Sequence, residues 1–251
     1  MSRCRPAAHT VVMWLCAVLL PAIGACFNPV PLPPDQLDKA YKAAVADAAV
    51  VEPNEISRNL TAIVDYNDQL VWDDSTGEAR VLVVTWTSYT GYDSQVGQTI
   101  TTTRETWVTA APQVQQFAAR QRLKPPGLTL RLEELLGVPP NNGKTRFIEF
   151  WAKPADLYRP SPDPEITDQE AELDFPQSTR YVTVDPNYVQ WFDNLEATSY
   201  GDNGYPWTRL GYTYDWGNAH DHVGLSEFVI RPGATVEVHT VATTEDYCRW
   251  W

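Results

Sequence analysis

Residues 199–222 (SYGDNGYPWTRLGYTYDWGNAHDH) concentrate side chains that could do chemistry. They hold six aromatic residues and four glycines, with Asp202, Asn203, Asp215, Asn218 and Asp221 among them. If residues 209–216 are extended, Leu210, Tyr212, Tyr214 and Trp216 share one face. Arg209, Thr213 and Asp215 then share the other, because side chains alternate along a strand. Aromatic rings stack on the C–H groups of a sugar while carboxylates and amides take its hydroxyls. Tyr205, Trp207, Tyr212, Tyr214, Asp215 and Trp216 are therefore the candidate ligand-binding set, with a glycan as the ligand it would suit. The same row also reads as the core face of a strand between polar loops, the plainer account in a chain with 10 Trp, 12 Tyr and 7 Phe.

His220 and His222 flank Asp221. In an extended segment a His-x-His pair puts both rings on one side, as in transition-metal sites. A third ligand would come from Asp215, Glu227 or His239; a solvated turn after Asn218 is the alternative. No cofactor is expected, and a divalent metal is the one addition these residues would allow. Glu149, in the run FIEFW, shares a face with Phe147 and Trp151, where loss of water raises a carboxyl pKa and suits a general acid. Glycoside hydrolysis requires a second carboxylate, for which Asp156, Asp215 and Glu227 are available. Glu149, Asp215 and Glu227 are thus the catalytic candidates; Glu149 paired with Arg146, or lying at a wet sheet edge, is the simpler reading. Residues 159–176 carry six acids between Asp163 and Asp174, but lack the alternation and glycine of an EF-hand loop. They read as a surface loop packing through Ile166, Leu173 and Phe175. The chain has no Gly-x-Ser-x-Gly, phosphate-binding Gly-rich loop, His-Glu-x-x-His or Cys-x-x-Cys.

The elements that must position these residues follow from periodicity. Leu37, Ala40, Tyr41, Ala44, Val45 and Ala48 recur at helical spacing, so residues 35–50 read as an amphipathic helix capped by Asp35. Residues 70–72 and 80–89 read as a hairpin about the turn at 73–77, and the apolar run 81–84 places its second strand centrally. Residues 99–109, rich in β-branched side chains, read as one strand. Two helical pieces follow, one starting at Pro112 and one over 128–136 ending at Gly137. Residues 145–152 return to β, Asp185-Pro186 opens a helix, and 227–231 with 234–241 read as a hairpin turning at Pro232-Gly233. Strands and helices fall in blocks without βαβ alternation. The expected class is α+β: a single domain over 35–251, with a mainly antiparallel sheet and several short helices packed on it.

The start of the chain bears on location. Arg3 and Arg5 precede an apolar stretch at 11–20 (VVMWLCAVLL), too short to span a bilayer comfortably, and small residues follow. Ile23-Gly24-Ala25-Cys26 resembles the lipobox of bacterial lipoproteins. The resemblance implies a signal peptide over 1–25, diacylation of Cys26, and a membrane-anchored protein on the periplasmic or cell-surface face of the envelope. The Pro-rich residues 29–34 would then make a stiff tether within 26–34. If the leader is instead an ordinary signal peptide, Cys26 stays a thiol and can pair with Cys248 in an oxidising compartment. Residues 199–222 also resemble stretches of uncharacterised exported bacterial proteins, which implies no activity. The net charge of −13 becomes about −15 once Arg3 and Arg5 leave, and such a surface repels nucleic acid. The expectation is a non-enzymatic binding or structural module of the envelope, with a glycan or an envelope protein as partner. The alternative is an envelope hydrolase acting on a glycan through carboxylates or a metal.

Overall fold

The computed structural model describes residues 33–177 and 183–249. The expected signal peptide, Cys26 and most of the tether lie outside the described residues. The strands are β1 (Trp72–Asp73), β2 (Arg80–Thr87), β3 (Thr99–Thr101), β4 (Thr106–Ala110), β5 (Arg146–Ala152), β6 (Leu157–Tyr158), β7 (Tyr212–Tyr214), β8 (Val223–Ile230) and β9 (Thr235–Thr243). The helices are α1 (Pro34–Ala48), α2 (Gln113–Gln121), α3 (Gly127–Leu135), α4 (Pro186–Ser199) and α5 (Thr244–Tyr247). All strand pairs are antiparallel, in the order β3-β9-β5-β2-β4-β8-β6, with β1 added on β2 and β7 on β8. The class is the α+β expected. Among the described residues no helix is long and apolar enough to cross a membrane.

The apolar run in β2 does put it at the centre, between β5 and β4. Alternation along β2 then sorts two cores onto opposite faces of the sheet. Val81 and Val83 join Val108, Ala110, Ile148, Phe150, Phe228 and Ile230 on one face. Leu82, Val84 and Trp86 join Phe147 on the other, where Val114 and Ala118 of α2, Leu128 and Leu132 of α3, and Tyr247 of α5 cover them. Each fully buried side chain of this kind contributes roughly 1.5–3 kcal/mol.

Three expectations are corrected. Residues 99–109 form two strands, β3 beside β9 and β4 between β2 and β8. Between them the chain turns at Thr102, whose hydroxyl donates to Arg231 O at 2.7 Å. Residues 227–241 are not a hairpin, because β8 pairs with β4, β6 and β7 whereas β9 pairs with β3 and β5. Four strand spacings, about 19 Å, separate β8 from β9 along the sheet, yet only residues 231–234 join them. An extended link of that length reaches about 17 Å at most, so the sheet curls to bring its two sides together. Finally, Pro33 is the N-cap of α1 with Pro34 in its first turn, so Asp35 lies inside the helix. Proline suits that turn because its missing N–H would have had no partner there.

Candidate functional site

The helix-covered face of the sheet holds a cavity of about 400 Å³. Its floor is a row of paired residues: Val84 on β2 opposite Thr109 on β4, and Thr109 opposite Glu227 on β8. Trp107 and Trp86 extend the floor one alternation further along their strands, and Phe147 lies against Trp86 with ring centroids 5.6 Å apart. The side walls come from Val114 of α2 and from residues 136–138, where the chain leaves α3. Gly137 makes that exit in the left-handed region, at φ 62°. A Cβ there would meet the backbone N and O of Tyr214 at 3.3 Å, so glycine allows the exit to lie against β7. Leu195 and Ser199 of α4, with Tyr205, Pro206 and Trp207 after it, form the cover. Tyr41 of α1 braces this cover, its hydroxyl donating to Gly204 O at 3.0 Å. Volumes of this size, lined mostly by apolar and aromatic groups with a few polar ones, are typical of small-molecule sites.

Only two charged side chains line the cavity among the described residues, Lys144 and Glu227. The Lys144 ammonium donates to Trp86 O at 3.0 Å, and burial lowers its pKa. Glu227 is half-buried and faces the cavity. No hydrogen bond or ion pair of its carboxylate occurs among the described residues, and loss of water alone pushes its pKa up to about 8. At neutral pH the group is therefore mostly a neutral acid, able to donate as well as accept. Two polar atoms of lining residues, Thr109 Oγ1 and Trp207 Nε1, are buried without a partner among the described residues. Such atoms cost stability unless something pairs with them.

The residues named from sequence separate into groups. Tyr205, Trp207 and Tyr214 line the cavity; Tyr212 and Trp216 do not. The expected single row is not formed, because Arg209 (φ 59°) and Gly211 (φ 72°) break the chain before β7 and a bulge lies within it. Tyr212 is 1% exposed and donates to Glu55 O. The Trp216 indole N–H is shared by Glu133 O and Val138 O, both at 3.1 Å. Asp215 is clamped by Arg131 through two bonds of 2.9 and 2.6 Å, so its carboxylate is fully engaged. Glu149 accepts from the Tyr247 hydroxyl at 3.0 Å. It shares the sheet face with Glu227 but lies three strands away (through Val84 and Thr109), about 14 Å between backbones. Glycoside hydrolysis uses carboxyl groups about 5–9.5 Å apart, and the three acids named from sequence are not gathered in that way. Asp156 lies in a turn beside β6, its backbone carbonyl held by Arg231.

His220 is exposed, and His239 is exposed and accepts from the Trp151 indole at 3.2 Å. His222 instead meets Glu55 and Asp47, with one ligand atom from each lying within 4.8 Å of the others. One nitrogen and two carboxylate oxygens could hold a divalent transition metal. Each group also has structural work: His222 stacks on Tyr214, Tyr214 donates to Asp47, and Glu55 caps the turn at residues 53–55. The acidic loop at 159–176 wraps Arg159, which is 1% exposed and paired with Asp168. It packs through Ile166 and Leu173, and Phe175 meets Phe192 of α4. Sequence reasoning missed Thr109, Trp107, Lys144 and residues 136–138 as parts of one site, since only the strand register and the packing of the α3–β5 connection on the sheet join them. No protein-family model, curated protein or solved structure matches this chain.

Proposed function

We propose that this protein is an extracytoplasmic, lipid-anchored binding module that holds a small, mainly apolar molecule in the cavity beneath α4. The observation that carries the reading is the cavity itself: about 400 Å³, walled by Val84, Trp86, Trp107 and Trp207, with a carboxyl at its floor that has no partner among the described residues. The leader and its Cys26 motif support the location, and the Pro-rich sequence that leads into α1 suits a tether. Stacking of a glycan across Tyr212, Tyr214 and Trp216 has less support than an apolar ligand, because Tyr212 and Trp216 are held in packing contacts.

Titration of the mature chain carrying Cys26→Ser with N-phenyl-1-naphthylamine, a neutral apolar fluorophore, tests the reading. The expected result is one probe per chain, with quenching of tryptophan emission. Val84→Phe, which fills the floor, should abolish binding while near-UV circular dichroism stays native. Undiminished binding by a natively folded Val84→Phe variant would refute the assignment.

A further inference from the structure

We infer that the cavity selects a lipophilic amine, its ammonium group on Glu227 and its apolar body between Val84, Trp107 and Trp207. The inference rests on the cavity being a ligand site and adds the chemical class of the ligand.

Three other enclosed carboxylates have partners, whereas Glu172 Oε2, away from the cavity, is buried without one among the described residues. Asp215 has Arg131, Glu149 has the Tyr247 hydroxyl, and Glu133 has the backbone N–H and side-chain amide of Asn142. Glu227 has no such partner among the described residues. The one cation on the cavity wall among the described residues is not placed to serve it. Lys144 is spent on Trp86 O of β2, and β4 lies between β2 and β8, so two strand spacings (about 10 Å) intervene. A half-buried carboxylate beside an apolar cavity and lacking a cation is costly, and a ligand that supplies one reduces that cost.

The neighbours of Glu227 suit an ammonium group. Thr109, directly across the strand pair, is 5% exposed, and its hydroxyl has no partner among the described residues. Trp107 is the diagonal neighbour on the same face, within reach of a side chain at 227. Trp207 stands edge-on to it, with centroids 6.3 Å apart. Indole faces attract cations, by about 0.5–2 kcal/mol according to how far water is excluded. The chain's net charge of −13 also raises the local concentration of cations over anions.

Proton balance gives the inference a signature. The other titratable groups on the wall are Lys144, Tyr205 and Tyr214. Below about pH 8 the Glu227 carboxyl carries a proton. Seating an ammonium ion there leaves a carboxylate–ammonium pair and releases that proton to solvent. Affinity should therefore rise about tenfold per pH unit between pH 6 and 7.5 and level off above 8.

The test compares 6-phenylhexylamine with 6-phenylhexanol by calorimetry, on the Cys26→Ser chain and on the same chain carrying Glu227→Gln. At pH 8.5 the amine should bind at least tenfold tighter than the alcohol. At pH 7 its binding should release close to one proton, read from the dependence of the heat on buffer. Glu227→Gln should erase the amine's preference and its pH dependence while alcohol binding remains. Alcohol binding with no amine preference, or a preference that survives Glu227→Gln, overturns the inference and leaves the cavity reading standing. Absence of binding by either compound overturns both.

Discussion

Replacing Glu227 with glutamine should stabilise the protein in a pH-dependent way. The folded carboxyl holds its proton more tightly than in the unfolded chain, about 8 against an ordinary 4.5. Its contribution to stability is thus fully present below pH 4.5, fades as pH rises, and is lost above about 8. Each pH unit between the two values is worth about 1.4 kcal/mol, which gives a ceiling of about 5 kcal/mol at pH 8.5 and about 3 at pH 7. Water entering the cavity would solvate the carboxylate and reduce the figure, so half the ceiling is still consistent. Glutamine keeps the shape and a donor and carries no charge. Urea unfolding of both proteins from pH 4.5 to 8.5 should give curves that coincide at the acid end and diverge steadily, with the variant the more stable. For a domain whose whole stability is about 5–15 kcal/mol, such divergence is readily measured. Parallel curves across the range would mean that Glu227 titrates as it would in water and that the cavity floor is wet.

Asp215→Ala should cost about 3–5 kcal/mol by leaving Arg131 with Glu134 at 3.5 Å and the Phe117 ring at 4.7 Å, while probe binding in the cavity stays unchanged. Loss of binding without loss of stability would give Asp215 a direct part in the site. Gly137→Ala should destabilise by about 1–2 kcal/mol, since a side chain in the left-handed region would also press on the Tyr214 backbone. Unaltered thermal unfolding would contradict that geometry. The membrane fraction should yield an intact mass carrying a diacylglyceryl group on Cys26, and Cys26→Ser should free the protein into the soluble fraction. An unmodified Cys26 would remove the anchor from the account.

What the sequence made legible was local. The helix ending at Gly137, the helix opening at Asp185-Pro186 and the central β2 all follow from turn chemistry and periodicity over a few residues. Asp185 indeed accepts from Asn187 N at 2.8 Å. Apart from the cap of α1, the failures turn on which strands pair and where the chain bends. Residues 227–241 have the pattern of a hairpin, and only the sheet order shows that β8 and β9 face different partners. Residues 99–109 look like one strand, because a turn through Thr102 is as polar and β-branched as the strands it joins. The aromatic segment was visible, but two left-handed residues and a bulge redirected its side chains. Tyr205 and Trp207 thereby came to cover the cavity, whereas Tyr212 and Trp216 went into packing. Glu227 was one of several acids in the sequence. Its distinction arises from facing Thr109 across a strand pair, beneath a helix about 30 residues earlier in the chain.

The most direct measurement is a crystal structure of the Cys26→Ser chain grown with N-phenyl-1-naphthylamine. The account predicts one ordered probe on the helix-covered face, lying over Val84 and Thr109 beneath Trp207, with Glu227 within reach of it. A probe bound only at the surface, with the space above Thr109 filled by ordered water or closed by side chains, would contradict it.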